Sequence, residues 1–418
     1  MISETTKAIL LLTGHLLDGS KNASSSPLTL TKYNALARAL HKSGYEPGDL
    51  VTPKKTSIFD ALSNEPIFEK IGEEKIEALL ARGLQLANAL DKWASRSIWV
   101  MSRAEACYPK RLRKKLGNNA PPVIFGVGEP SLLEKGGLAV VGSRKVDDII
   151  KAYVAETGSL ASRAGYSIVS GAARGIDSSA MGGALETGGS VIGIMADSLW
   201  RASVAAGNRT PISEGRLVLI SAVDPSAGFN VGNAMQRNKS IYALADAALV
   251  VRTDHNKGGT WNGAIEQLEK LRFCPVFVHG GEHQGDGNEA LLRKGAICWP
   301  EPKMPDELRA VIEQAEAPKP PPEQTDLPLN LNAESPPIQQ KETPEGDAIK
   351  GRGTILEAVT DAVVKELQQG AKTGKEIAES LEVRPAQMND WLAQLVESGL
   401  VSKLNRPARY SLPVQTAS

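Results

Sequence analysis

Apolar residues along this chain follow three patterns, and the changes of pattern mark its parts. Across residues 28–93 they recur at helical spacing. Ile76, Leu79, Leu80, Gly83, Leu84, Ala87 and Leu90 would share one helix face. Across residues 138–299 short unbroken apolar runs (138–141, 166–169, 190–195, 217–221, 247–251 and 275–278) alternate with helical patterns. A strand that is apolar at every position is buried on both faces, which predicts a mostly parallel sheet covered by helices, the doubly wound α/β class. Residues 301–350 hold ten of the chain's 25 prolines among Glu, Gln, Asn and Ser. That composition cannot bury enough apolar surface to fold and predicts a disordered linker. Beyond it, residues 353–369, 373–381 (with Thr373 as N-cap) and 385–398 read as three helices, and 400–412 as a hairpin carrying Lys403, Arg406 and Arg409. Together they predict a winged helix over 351–413.

Composition narrows the function classes. Lys plus Arg equals Asp plus Glu at 48 each, so any pull on nucleic acid must be local. One local excess is Arg96, Arg103, Lys110, Arg111, Arg113, Lys114 and Lys115 against the single acid Glu105, which is either a solvated face or a nucleic-acid contact. The winged-helix region balances eight basic against eight acidic residues, and Asp390 and Glu397 would repel phosphate, so a protein partner suits it as well as DNA. Cys107, Cys274 and Cys298 have no paired spacing, which fits a reducing compartment, argues against zinc, and predicts small buried apolar residues. His279 and His283 flank a glycine-rich turn and do not share a helix face, so no metal is expected. No apolar run reaches the roughly 18 residues of a membrane span, and the expectation is a cytoplasmic protein. No triphosphatase loop and no nucleophile elbow appear, so no cofactor and no catalytic residue is expected.

Two strands end in small polar turns just ahead of a helix. Residues 138–141 lead into Gly142, Ser143 and Arg144. Residues 166–169 lead into Ser170, Gly171, Ala172, Ala173, Arg174, Gly175, Ile176 and Asp177. Such turns bare backbone N–H groups at the positive end of a helix, where phosphate can sit, and ligands of doubly wound sheets bind outside the carboxyl ends of the strands. Arg144 and Arg174 would contact adjacent phosphates; alternatively, the glycines only make tight turns and the arginines pair with Asp147, Asp148 or Asp177. Asp177 reads as a cap or as a carboxylate that orients an arginine. Gln236, Arg237, Asn238 and Lys239 offer amide and cationic donors together. Lys257, Gly258, Gly259 and Thr260 would form a further N–H nest opening the helix that carries Glu266. Trp261 is either a base-stacking surface or core.

Taken in order, these loops resemble the DprA/Smf family of DNA-processing proteins. Tyr108, Pro109, Leu112, Pro121, Pro122 and Gly128 look like its lead-in, and Gly142, Ser143 and Arg144 match its first strand-end motif. Residues 170–177 match its Ser-Gly-x-Ala-x-Gly-Ile-Asp run. Arg237 and Asn238 fit its Arg-Asn pair after a Phe, here Phe229, while residues 258–260 stand for its Gly-rich loop and Gly295 and Ala296 for its closing pair. Departures mark a divergent member: Ala180 and Met181 replace an Ala-His pair, Ser221 and Ala222 replace a Ser-Glu pair, and residues 257–264 differ from the usual Ser-Gly-Ser form. The resemblance implies an extended Rossmann-like domain over 111–300, a helical domain over 1–110 of SAM or helix-hairpin-helix type before it, and the winged helix after it. It also implies a non-enzymatic, homodimeric protein that binds single-stranded DNA and helps load a RecA-type recombinase in transformation, repair or phage defence. The strand would be held by Gly142, Ser143, Arg144, Ser170, Gly171, Arg174, Gly175, Arg237, Asn238, Lys239 and residues 257–260, with Asp177 orienting. A second resemblance, to lysine-decarboxylase-like phosphoribohydrolases, implies a nucleotide-binding protein or N-glycosidase in which Arg174 holds phosphate and Glu266 assists cleavage. Here Lys257 replaces the proline of their glycine-rich run, and Glu266 lies six residues past Thr260.

Overall fold

The six apolar runs become six strands of one nine-stranded sheet in the computed structural model, which describes residues 2–16, 26–281 and 285–315. Nearer the C-terminus it describes 360, 363–368, 370–381, 388, 391–392, 395–396, 400–404 and 409–411. In chain order the strands are β1 (Trp99–Ser102), β2 (Val123–Gly128), β3 (Leu138–Val141), β4 (Ile168–Ser170), β5 (Val191–Met195), β6 (Leu217–Ser221), β7 (Ala247–Val250), β8 (Val276–Val278) and β9 (Ile297–Cys298). Their spatial order is β1-β2-β6-β5-β4-β3-β7-β8-β9. The seven from β6 to β9 run parallel, and β1 and β2 add an antiparallel edge. Side chains alternate across a strand, so Leu138 and Val140 of β3 join one apolar core while Ala139 and Val141 join the other.

This order places the later chemistry. From β3 the chain adds β4, β5 and β6 on one side, then helix Val231–Leu244 carries it back to lay β7 against the other side of β3. The reversal leaves a crevice between the carboxyl ends of β3 and β7, because the loops leaving the two strands turn away from each other. The helix after β3, Asp148–Arg163, starts where Asp147 accepts a hydrogen bond from Ile150 N at 2.9 Å.

Helices Glu4–Thr13, Leu30–Lys42, Lys55–Leu62, Pro66–Ile71, Glu73–Leu80 and Gly83–Ala94 precede the sheet. Their buried Ile9, Leu10, Leu36 and Leu79 belong to the same core as Phe125, Leu138 and Trp299, and Trp93 meets Phe125 edge-on at 4.8 Å.

The expected single face across 76–90 is instead two helices that change direction at Ala81 and Arg82. Leu84 is left 74% exposed, because a period read through a turn loses its phase. The edge strands β1 and β2 went unread, since β1 lies beside a run of charge and β2 beside prolines and glycines. The expected linker begins too early: within it, helix Pro305–Gln314 buries Leu308 and Ile312 in the core, an amphipathic pair that the surrounding prolines obscured. Of the cysteines, Cys274 is buried, but Cys107 and Cys298 are exposed, so compartment chemistry did not predict packing. His283 and the rest of the expected linker, 316–350, lie outside the described residues.

The chain divides into two compact units, residues 1–328 and 329–418. In the second, Val363, Leu367, Ile377, Leu392 and Val401 form a separate apolar cluster. Helix Gly374–Ser380 opens with Thr373 and Glu376 capping each other reciprocally, and strands Ser402–Leu404 and Arg409–Ser411 pair antiparallel. Most of the first and third expected helices of the winged helix lie outside the described residues. Among the described residues no helix is long and apolar enough to cross a membrane.

Candidate nucleic-acid interface

The crevice between β3 and β7 is a cavity of about 480 Å³ built from four loops and the helix Val231–Leu244. Gly142, Ser143 and Arg144 leave β3, Thr253, Asp254 and Lys257 to Thr260 follow β7, Ala173 comes from the β4 loop and Asp177 from the start of the helix after it, and Phe229 precedes the helix that supplies Arg237 and Asn238. Hydrogen bonds tie the loops together. Ser143 N donates to Arg252 O at 3.0 Å, Thr260 Oγ1 donates to Gly142 O at 3.1 Å, and Asn238 Nδ2 donates to Gly259 O at 3.0 Å. Left-handed backbone at Ala172 (φ 51) and Asn256 (φ 55) concentrates strain in the β4 and β7 loops.

Two glycines are required by close approach. A Cβ at Gly171 would stand 1.1 Å from Arg237 Nη1, so the guanidinium lies directly on that backbone. Gly175, at φ 83, leaves no room for a Cβ against the carbonyls of Ser143 and Arg144. Asp177 is buried at the start of helix Ile176–Glu186 and accepts from Gly171 N at 3.1 Å, with Arg237 Nη1 at 3.8 Å. Burial pushes its carboxyl above the ordinary range, while the Arg237 charge and the neighbouring backbone amides pull it back. The Asp177 carboxylate thus stands beside the Arg237 guanidinium. Arg237 is only one-tenth exposed, and its Nε is buried without an acceptor among the described residues.

Charge at the mouth comes from elsewhere. Arg144 and Lys257 are exposed cations lining the cavity, with no ion pair or side-chain hydrogen bond among the described residues, and Arg144 lies over the exposed ring of Phe229 at 5.4 Å. Asp254 is the exposed acid of the lining, since Asp177 is matched by Arg237. Helix Gly258–Glu266 begins at this mouth with no side-chain cap, so its first N–H groups and positive end face the same space. An anion suits this arrangement.

The structure thus brings Gly142, Ser143, Arg144, Asp177, Arg237, Asn238, Lys257, Gly258, Gly259 and Thr260 into one lining. Ser170, Gly171, Arg174, Gly175 and Lys239 do not line it. Ser170 is buried and donates to Val140 O at 2.7 Å, Gly171 and Gly175 shape the turn beneath, and Arg174 is exposed apart from the cavity. Lys239 Nζ is paired with Glu266 Oε1 at 3.1 Å, both side chains mostly buried. The glutamate that a glycosidase reading needs is therefore bound to a lysine and outside the lining, and that reading is set aside. Trp261 is 6% exposed and belongs to the core, with His255 against its edge, so it offers no base a stacking face. Phe229, named above only as the Phe ahead of the Arg-Asn pair, is an aromatic 56% exposed at the rim. Its signal was a lone ring in an otherwise small and polar loop, 226–230. Among the described residues no His, Cys, Asp and Glu cluster could hold a metal.

The sequence profile of the family described as DNA recombination-mediator protein A matches residues 99–307, half of the 418-residue chain. No curated protein matches the chain. Solved structures similar to it include DNA processing protein A from Streptococcus pneumoniae (22% identity over 68% of this chain and 98% of that one, TM-score 0.47). Another is DNA processing protein A from Helicobacter pylori, described for its single-stranded DNA binding mode (21% identity, 52% and 97%, TM-score 0.43). A third is the molybdenum cofactor carrier protein from Chlamydomonas reinhardtii (18% identity, 43% and 97%, TM-score 0.27). From β1 through the mouth to the first turn of helix Pro305–Gln314, this chain belongs to the DNA recombination-mediator protein A family.

Proposed function

We propose that the mouth between β3 and β7 binds the phosphate backbone of single-stranded DNA and that the protein is a non-enzymatic recombination mediator, helping to load a RecA-type recombinase. The observation that carries this reading is the convergence of two exposed cations, Arg144 and Lys257, which make no ion pair among the described residues, on the start of helix Gly258–Glu266 at the switch point of the sheet, a start with no side-chain cap. Arg144 and Lys257 take phosphate oxygens as charge-assisted contacts, the N–H groups of residues 258–260 take further oxygens, and Phe229 offers a ring to a base. Such contacts follow the backbone and are largely independent of sequence. A single mouth covers few nucleotides, and a homodimer would double the track. Family membership supports the mediator role.

Fluorescence anisotropy with a labelled oligothymidylate tests the reading. Binding is expected to weaken with salt, with a log-log slope of about −0.7 per phosphate neutralised. Absence of binding at about 50 mM salt, or binding unchanged in an Arg144→Ala, Lys257→Ala double variant, overturns it. Recombinase loading is read separately, as faster filament formation by a RecA-type protein on strands coated with single-strand-binding protein.

A further inference from the structure

Lys257 reaches the mouth from a tight turn, and the bonds that fix the approach to that turn come from a helix outside the lining. Asp254 and Lys257 pair as an antiparallel bridge across the turn, with Asn256 left-handed at φ 55 between them. Beyond the turn, Thr260 Oγ1 on Gly142 O and Asn238 Nδ2 on Gly259 O hold the start of helix Gly258–Glu266. Ahead of the turn, residues 251–255 lie against the first turn of helix Asp286–Arg293.

These contacts are polar and aimed at the main chain. Asn288, fully buried, accepts from Thr253 N at 2.9 Å and donates through Nδ2 to Val251 O at 2.8 Å and to His279 O at 2.9 Å. A carboxamide suits this place because it carries two donors and an acceptor together. Gly287 N donates to Thr253 O at 3.1 Å, and the exposed Asp286 accepts from His255 N at 2.9 Å. A Cβ at Gly285 would stand 2.1 Å from Thr253 O and one at Gly287 2.7 Å from it, so the helix start is pressed on this backbone with no room for a side chain.

Neither Asn288 nor Asp286 lines the mouth. Each meets a bound strand through the turn. A cation on a loop already held in its binding conformation is spared the entropy cost of ordering that loop when the ligand arrives. We propose that Asn288 and Asp286 are positioning residues for Lys257, fixing the turn that presents its ammonium to the phosphates. The proposal rests on the single-strand reading above and deepens it.

A double-mutant cycle on the full-length protein tests it, with oligothymidylate affinity read by fluorescence anisotropy at fixed salt. Asn288→Leu removes the three side-chain bonds at nearly constant volume. Because it leaves buried backbone groups unpaired, a pair of variants at exposed Asp286 carries the same test with little cost to folding. Asp286→Asn keeps an acceptor for His255 N, Asp286→Leu removes it, and both are neutral. Asn288→Leu is expected to lower strand affinity about fivefold, and Asp286→Leu about threefold relative to Asp286→Asn. In a Lys257→Ala background both losses should shrink below about 1.5-fold, since the cation they place is gone. A purely structural role would cost the same factor in both backgrounds. Equal costs with and without Lys257, or Asp286→Leu binding as tightly as Asp286→Asn, overturns the positioning role while strand binding stands. If the unaltered protein binds no strand, the single-strand reading fails and the positioning role with it.

Discussion

Two groups of basic residues stand in this molecule, and their fates are opposite. The denser group in sequence, residues 96–115, is largely consumed by the fold. Arg96 lies over the Trp200 ring at 3.9 Å and donates to the Trp200 carbonyl, and Arg103 donates to Asn34 Oδ1 at 2.5 Å and to Ala120 O. Arg111 pairs with Asp246 at 2.7 Å, Arg113 donates to the carbonyls of Arg103 and Glu105, and Lys115 reaches Ala245 O at 2.9 Å. The sparser group, Arg144 and Lys257, is separated by more than a hundred residues yet meets at one cavity, where neither makes an ion pair among the described residues. Charge density along the chain is therefore a poor guide to a binding surface. What decides is whether the fold brings acceptors to the cations or leaves them facing solvent.

The largest effect that could break this contrast is steric. Gly171→Ala places a methyl group on the Arg237 guanidinium, so the Asp177–Arg237 pair must separate, and a loss of about 3 kcal/mol in urea unfolding together with loss of strand binding is expected. Next, the Arg144→Ala, Lys257→Ala double variant should lose at least about tenfold in strand affinity at moderate salt and flatten the salt slope by about 1.4, two phosphates' worth, with its unfolding midpoint unchanged. Arg111→Ala should behave in the reverse sense, losing about 1 to 2 kcal/mol of stability through the half-buried pair with Asp246, while the folded fraction binds the strand normally. Lys110→Ala with Lys114→Ala should change affinity by less than about twofold. If that last pair matters as much as Arg144 and Lys257, the contrast is wrong.

A pH measurement gives the smallest effect. Glu301, held at φ 53, accepts from Tyr153 Oη at 2.8 Å and contacts His279 Nδ1 at 2.7 Å. Its burial would raise the carboxyl, but the contacts with His279 and Tyr153 outweigh it and hold the group below its ordinary value of 4.5. A depressed carboxylate contributes stability that is fully present above 4.5 and is lost as pH falls through the lower folded value. Tyr153→Phe should therefore cost under about 1 kcal/mol at neutral pH. The gap to the unaltered protein should close in acid.

The parallel strands were legible because burial on both faces leaves an unbroken apolar run, as in β3, β6 and β7. The loops were legible because glycine at 171 and 175 is forced by neighbours that only the fold supplies, yet leaves its mark as a motif. Arg237 shows the limit: a pattern of donors reads alike whether the side chain faces solvent or lies on the Gly171 backbone. Lys239 and Glu266 show it again, since each was an attractive ligand group alone, and only their approach to 3.1 Å shows that they answer each other. The edge pair β1 and β2 escaped because the antiparallel pairing of β2 with β6 depends on contacts far along the chain, which no local period records.

The apolar interior shared between the first six helices and the sheet bears on how the protein can be cut. A recombinant fragment trimmed to the matched span, 99–307, would strip Trp93 from Phe125 and bare the part of β1 and β2 against which helix Glu4–Thr13 packs, and it would end within helix Pro305–Gln314, before Ile312. Such a fragment would precipitate or pair promiscuously in expression trials, whereas one ending near residue 315 and keeping the N-terminal helices would stay dispersed.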